Sequence, residues 1–286
     1  MPTGGLGQTA DVGNDLSLGA DWLGMVPAGD RHWQLPVSPG VTSGAQALFG
    51  GCATAAALVA AAPLVEQPLV WAAVHFGRLA PAGSSLEVRA EVLSAGRTLS
   101  HLAAVGQRDG TEAFSARIVA ARRPTSTTEG SWCAAPDVVD PSESEPFHLP
   151  VHDDTWAARF EWRLPTRRGL AGRSAACWWV RPEESPTDPL VVLAVLADYV
   201  TYGVGRALGA PMGGLSIDNV LRIRRAELTD WLLVEVVPEA VTDGVGFGSA
   251  YVYDAGRHLL AVGSQSIVVN DWDWRTPAEE FRDRHS

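Results

Sequence analysis

A carboxylate stands in the middle of the most apolar stretch of the chain. Pro189 to Leu208 reads Pro-Leu-Val-Val-Leu-Ala-Val-Leu-Ala-Asp-Tyr-Val-Thr-Tyr-Gly-Val-Gly-Arg-Ala-Leu, with Asp198 at its centre. As a helix this run is apolar on nearly every face, so other protein must enclose it. An ionised carboxylate in such a place is costly unless it is paired, hydrogen-bonded or turned into a polar pocket. Asp198 therefore either caps backbone groups or meets solvent at the helix edge, or it does the kind of chemistry for which buried carboxylates are tuned. Cys52 could be a nucleophile, but no His stands at a recognisable spacing, and a small buried helix residue is the plainer reading. His148, His152, Asp153 and Asp154 carry metal-ligating atoms, but their spacing fits no ordinary site; a solvated acidic linker explains them.

Composition removes several other chemistries. All 22 basic residues are arginine. A Walker-type phosphate loop, a lysine Schiff base and a pyridoxal attachment are thereby excluded. There is no Gly-x-Ser-x-Gly elbow. Gly244-x-Gly246-x-Gly248 looks like a dinucleotide loop, but it lies between strands with no helix after it and reads as a bent hairpin strand. The formal net charge is −11. No basic cluster suggests nucleic acid or an anionic membrane as a partner. Three widely separated cysteines, no CxxC and no signal-peptide pattern point to a reducing cytoplasm. The apolar run is long enough to suggest a membrane span, but Asp198, Arg206 and two internal glycines favour a buried helix.

These residues must be positioned by the elements around them. Arg31 to Val37 reads as a short strand stopped by Pro36, and Ala45 to Ala62 as an Ala-rich helix broken by Pro63. Four strand-like runs follow: Leu69–Ala80, Ser85–Leu93, Thr98–Arg108 and Glu112–Ala121. Asp109-Gly110 is a tight-hairpin signal. From Arg123 to Asp154, Pro, Ser, Thr and acids dominate, as in a linker. The second half then repeats the first. Phe160 to Pro165 echoes Arg31 to Pro36 through a shared Trp-x-Leu-Pro, and an extra strand, Ser174–Arg181, follows. After the helix at 189–208 come Leu215–Ala226, Trp231–Val237, Val245–Tyr253 and His258–Asn270, with a turn at Asp254-Ala255-Gly256. The halves align at an offset of 146 residues, Gly256 on Gly110. One unit of strand, buried helix and antiparallel meander is thus used twice.

A curled antiparallel sheet around one helix explains why that helix is apolar all round. This α+β arrangement is the hotdog fold, and two copies make a double hotdog. The expected plan is a flexible lead-in (1–28), an N-terminal hotdog (29–124), an acidic Pro/Ser linker (125–158), a C-terminal hotdog (159–271) and a tail (272–286).

With the repeat in place, the sequence resembles the acyl-CoA thioesterase II family over roughly residues 31–123 and 160–270. The first half carries Leu48-Phe49-Gly50-Gly51, His75-Phe76, Pro81-x-Gly83 and Gly96-Arg97-Thr98. The second carries Ala197-Asp198, Ser216-Ile217-Asp218-Asn219, Trp231-Leu232-Leu233 and Gln265. The resemblance implies hydrolysis of acyl-CoA to free fatty acid and CoA, without metal or cofactor. It places the residues that hold the attacking water at Asp198, Ser216 and Gln265. Asp198 can accept the water's proton as general base; Ser216 and Gln265 each offer a donor and an acceptor to orient it. Gly50, Gly51 and Asp218 are candidates for substrate binding. By period two, Asp218 shares a strand face with Ser216, as a supporting partner or as a charge beside Arg222 or Arg224. Arg222, Arg224 and Arg225 could meet CoA phosphates or simply face outward on an edge strand. The acyl chain would lie between the two hotdogs, and a homo-oligomer, dimer or tetramer, is possible.

The repeat provides a control. At the 146-residue offset, Cys52, Val70 and Val119 stand where Asp198, Ser216 and Gln265 stand, and they cannot hold a water. One active site per chain is expected. The chain departs from the family pattern at Cys52, usually Gln; at Ser216, a less common variant; at Asn219, usually His; and at Ser266, usually Gly. Two rivals remain: a non-catalytic double hotdog that binds acyl thioesters or a protein, and a hotdog hydratase or dehydratase. The latter resemble one another in an Asp with His five residues on, and here that position is Gly203.

Overall fold

The computed structural model describes residues 16–123, 129–148, 154–168, 176–184, 187–209 and 212–273. Helix α1 (Leu16–Leu23) and a hairpin of β1 (Val26–Gly29) and β2 (His32–Pro36) precede the helix α2 (Gly50–Ala61). The first meander is β3 (Leu69–Phe76), β4 (Ser85–Ala95), β5 (Leu99–Arg108) and β6 (Thr111–Ala121). The short β7 (Glu145–Pro146), β8 (Phe160–Leu164) and β9 (Ala176–Pro182) lead to α3 (Pro189–Leu196) and α4 (Val200–Ala207). The second meander is β10 (Met212–Ile223), β11 (Leu232–Thr242), β12 (Val245–Tyr253) and β13 (Leu259–Asp273).

Among the described residues the strands make one sheet in the order β1-β2-β4-β5-β6-β3-β10-β13-β12-β11-β9-β8-β7. Each half curls round its own helix, and the halves join antiparallel through the equivalent strands β3 and β10. This is the double hotdog that the repeat predicts. Every α2 residue from Gly51 to Ala61 is buried, as is every α3 residue from Leu190 to Leu196. Burying each of Leu190, Leu193 and Leu196 contributes about 1.5–3 kcal/mol. Asp188 starts α3 by accepting a hydrogen bond from the Leu190 N–H at 2.8 Å, with Pro189 at the first helical position. Asp109-Gly110 and Asp243-Gly244 both have positive φ throughout, as tight hairpin turns require. The second places Gly246 and Gly248 in a hairpin strand, as their sequence suggests.

Five expectations are corrected. The lead-in is structured from Leu16: α1 buries Ala20, Trp22 and Leu23 against the core. The first helix begins at Gly50 rather than Ala45, because bridges from Thr42 to Leu48 and from Ala47 to Pro81 close residues 43–47 into a turn, with Gln46 at positive φ. The run 189–208 is two helices, α3 and α4, broken around Asp198.

The linker is docked on the fold at points rather than solvated throughout, although many of its described residues, among them 129–132, are exposed. Val138 lies on the outer sheet face with Trp179, Leu233 and Tyr253. Trp179 donates to the Val139 carbonyl at 2.8 Å, and Arg257 donates to the Pro136 and Val138 carbonyls. Trp156 is enclosed by Phe49, Phe160, Trp162 and Tyr199. His148 is exposed, and His152 and Asp153 lie outside the described residues.

Finally, the Trp-x-Leu-Pro echo misleads. It matches β2 with β8, but β2 pairs with β4 while its counterpart beside β11 is β9. Sheet position follows the pairing partner, not the shared tetrapeptide.

Candidate active site

The break between α3 and α4 turns Asp198 inward. Ala197 has φ −82° and ψ 0°, and Tyr199 has φ −128° and ψ 18°, so neither continues a regular helix. The break is possible because β13 supplies Gly263 beneath it: a Cβ there would overlap the Ala197 carbonyl. Asp198 is left 3% exposed.

Two strands meet it. Gln265 on β13 donates through Nε2 to Asp198 Oδ1 and, at 2.7 Å, to Ser216 Oγ on β10. The orientation of this amide is set by a third bond, because Gln265 Oε1 accepts the Val200 N–H at 3.2 Å. Asp198, Ser216 and Gln265, far apart in sequence, thus form one connected cluster. A fourth residue joins them. Asn219 on β10, fully buried, donates through Nδ2 to Asp198 Oδ1 at 3.0 Å.

The sequence pattern offers Asp218 for this place and gives Asn219 no role. The register explains the exchange. β10 has a bulge between Ser216, opposite Ile267, and Asp218, opposite Ser266. One extra residue reverses the faces beyond it. Asn219, opposite Gln265, joins Ser216 on the inner face, and Asp218 is turned away. Asp218 Oδ1 instead accepts the Ser266 N–H at 2.8 Å. The only legible signal was Asn219 itself, where the resembling family has His.

The glycines of α2 close the site from the other half. A Cβ on Gly50 would overlap Asp198 Oδ2 and lie 2.9 Å from Phe76 Cζ. A Cβ on Gly51 would lie 2.8 Å from the Val195 Cα, so these two positions admit no side chain while the helices stay this close. Burial pushes the Asp198 carboxyl up to about 7, against the pull of the Asn219 donor and the nearby Gly51 N–H. That N–H lies in the first turn of α2, where the helix dipole also favours an anion. Asp198 Oδ2 is buried with no donor in full hydrogen-bond geometry among the described residues.

The other candidates fall outside this cluster. Cys52 is buried, and burial together with the Asp198 charge raises its thiol far above the range of a reactive thiolate. Arg224 and Arg225 both pair with Glu129, and Arg222 donates to Ser264. At Gly203 a Cβ would overlap Val236, so the position that would carry a hydratase histidine has no room for one.

Residue pairing also refines the internal control. Leu69 faces Ala120 and Ala72 faces Ile118, with a register shift between them like that between Ser216 and Asn219. The equivalents of Ser216, Asn219 and Gln265 are therefore Leu69, Ala72 and Ile118, not Val70 and Val119. For Gln265 the cause is the β12–β13 turn: Tyr253 pairs with Leu259, whereas its counterpart Gln107 pairs with Glu112, one residue sooner.

Two hotdog units, only one of which carries this polar cluster, define the class: a double hotdog with one buried carboxylate site. Family models agree with that division. The acyl-CoA thioesterase N-terminal domain matches residues 38–121 and the C-terminal domain matches residues 134–269. The chain belongs to the acyl-CoA thioesterase family. Among solved structures, it is 30% identical to a candidate thioesterase from Novosphingobium aromaticivorans DSM 12444, over 86% of this chain and 98% of that one, with a TM-score of 0.77. A candidate thioesterase II from Thermobifida fusca YX is 20% identical (88% and 97% covered, TM-score 0.73). The acyl-CoA thioesterase II TesB2 from Mycobacterium marinum is 18% identical (88% and 98% covered, TM-score 0.69). At those identities the last two show the fold alone. Comparison of the sequence with curated proteins gives no match.

Proposed function

We propose that the protein hydrolyses acyl-CoA thioesters, with Asp198 as general base, Ser216 as a hydroxyl that can orient the attacking water, and Gln265, whose amide is taken up by Asp198, Ser216 and Val200, as the residue that holds the base and the hydroxyl in place. The observation that carries this reading is the convergence of these three residues on one buried carboxylate with an unpartnered oxygen. A water against Asp198 Oδ2 gives that oxygen its proton while its own oxygen attacks the thioester carbonyl carbon. The tetrahedral intermediate then expels sulfur: the C–S bond breaks, and the thiolate takes the proton back from Asp198. The products are a carboxylic acid and a thiol. With its carboxyl near 7, Asp198 is a matched base at neutral pH. Gly50, Gly51 and Phe76 would flank the reacting carbonyl, and the acyl chain would run into the apolar region between the two helices.

The test is release of free thiol from acyl-CoAs of short to long chain, with the native protein and Asp198→Asn side by side. The amide introduced by that substitution keeps a carbonyl oxygen for the Asn219 and Gln265 donors, so the variant removes the base and little else. Turnover that falls at least about a hundredfold in the variant supports the reading. Turnover unchanged by the substitution overturns the assignment of the base. No turnover on any acyl-CoA overturns the substrate assignment and leaves another carrier or a non-catalytic binding protein.

A further inference from the structure

Asp198 has two carboxylate oxygens, and the structure treats them differently. Oδ1 accepts two side-chain amide N–H groups, from Asn219 and Gln265; Oδ2 has no donor in full hydrogen-bond geometry among the described residues, although the Gly51 N–H also acts on the carboxylate. Gln265 cannot enforce this alone. Its Nε2 is divided between Asp198 and Ser216, and its Oε1 is committed to the Val200 N–H. Asn219 Nδ2 makes one bond in the site, to Asp198, at 3.0 Å. Rotating the carboxylate would break that bond and the Gln265 bond together, inside a closed core. Oδ2 is thereby held toward Gly50 and the Phe76 ring.

We propose that Asn219 is a positioning residue for hydrolysis: it pins Oδ1 of Asp198 so that Oδ2 is the oxygen that takes the proton. The proposal rests on the reading of Asp198 as base. It also makes Asn219 a determinant of the working pH, because its hydrogen bond favours the charged carboxylate. The titratable groups around Asp198 are few. Cys52 faces it from α2 and Tyr199 follows it just before α4, both buried and held protonated. Arg159 acts on Cys52, and no described cation lies within ion-pair distance of Asp198. On β3 and β10, His75 is exposed and Asp218 faces away.

The experiment is the pH dependence of kcat/KM for thiol release, in the native protein, Asn219→Leu and Asn219→Asp, with each variant's folding checked by its melting transition. Asn219→Leu keeps the shape and removes the donor; the acid limb should move up by about one pH unit, with most of the activity recovered at high pH. Asn219→Asp sets two carboxylates at hydrogen-bond distance, and the limb should move further. Either variant suffices if the other does not fold. A limb that stays in place while kcat falls equally at every pH overturns the proposal and makes Asn219 merely structural. Failure of the base reading looks different: Asp198→Asn then retains activity whatever the Asn219 variants do.

Discussion

The two hotdogs present the same four positions to the core and fill them with opposite chemistry. In the second half these are Asp198, Ser216, Asn219 and Gln265, joined by hydrogen bonds. In the first they are Cys52, Leu69, Ala72 and Ile118, all buried. The backbone frame is shared, even to the register shift in the strand that carries two of them. The fold therefore does not require the polar set. A buried carboxylate is tolerated because amides neutralise the cost of one oxygen, while the other is left to do chemistry. The first half is not idle, because its Gly50, Gly51 and Phe76 wall the side toward which the second half's carboxylate opens.

Converting one half toward the other is the direct way to test this contrast. The largest effect is expected from Asp198→Asn, with thiol release falling by about 10²–10⁴-fold. Next is Gly50→Ala, a one-carbon change in the half that lacks the polar set. Its methyl would displace the carboxylate or Phe76, and a loss on the order of a hundredfold is expected from misplacement alone. A wild-type rate in Gly50→Ala would show that the first half contributes only scaffold.

Gln265→Ile copies the residue at the equivalent position of the first half. It removes both donors and strands the Val200 N–H, so activity should fall and the melting transition should drop by the equivalent of about 1–3 kcal/mol.

The fourth prediction concerns stability and pH. The Asp198 carboxyl is raised from the ordinary 3.8 to about 7 in the folded protein, so the folded state holds a proton that the unfolded state has released. Between those values stability should fall as pH rises, by about 4 kcal/mol in all, and level off above them. In denaturant titrations at pH 4 to 8, Asp198→Asn should flatten this slope and be the more stable protein at pH 8. A parallel slope in both proteins would place the titrating group elsewhere.

The smallest effect is expected at Cys52. Its burial and raised thiol predict that an alkylating reagent at pH 8 modifies the partly exposed Cys133 first and leaves activity unchanged.

Much of this was legible along the chain. The repeat, the all-round apolar helices and the Asp-Gly turns are local patterns, and each carries a direct physical meaning: enclosure, or a backbone with positive φ. That Asp198 lies on an enclosed helix followed from its neighbours alone, but whether the carboxylate itself is buried or reaches solvent did not. Ser216 and Gln265 were reached only through resemblance, because a hydroxyl and an amide on strands have many ordinary uses.

What tertiary structure decided is which residues face each other. Strand alternation puts Asp218 with Ser216, but the bulge puts Asn219 there, and a bulge is fixed by hydrogen bonds to a partner strand distant in sequence. The one-residue difference between the hairpin turns likewise moved the equivalent of Gln265 from Val119 to Ile118, and strand pairing moved that of Ser216 from Val70 to Leu69. The helix break at Asp198 depends on Gly263 lying under Ala197, and the packing of the linker depends on apolar surface that both halves bring to it. Local sequence sets the period of each element; register and phase come only from the contacts between elements, where one residue of slip exchanges the core face for the solvent face.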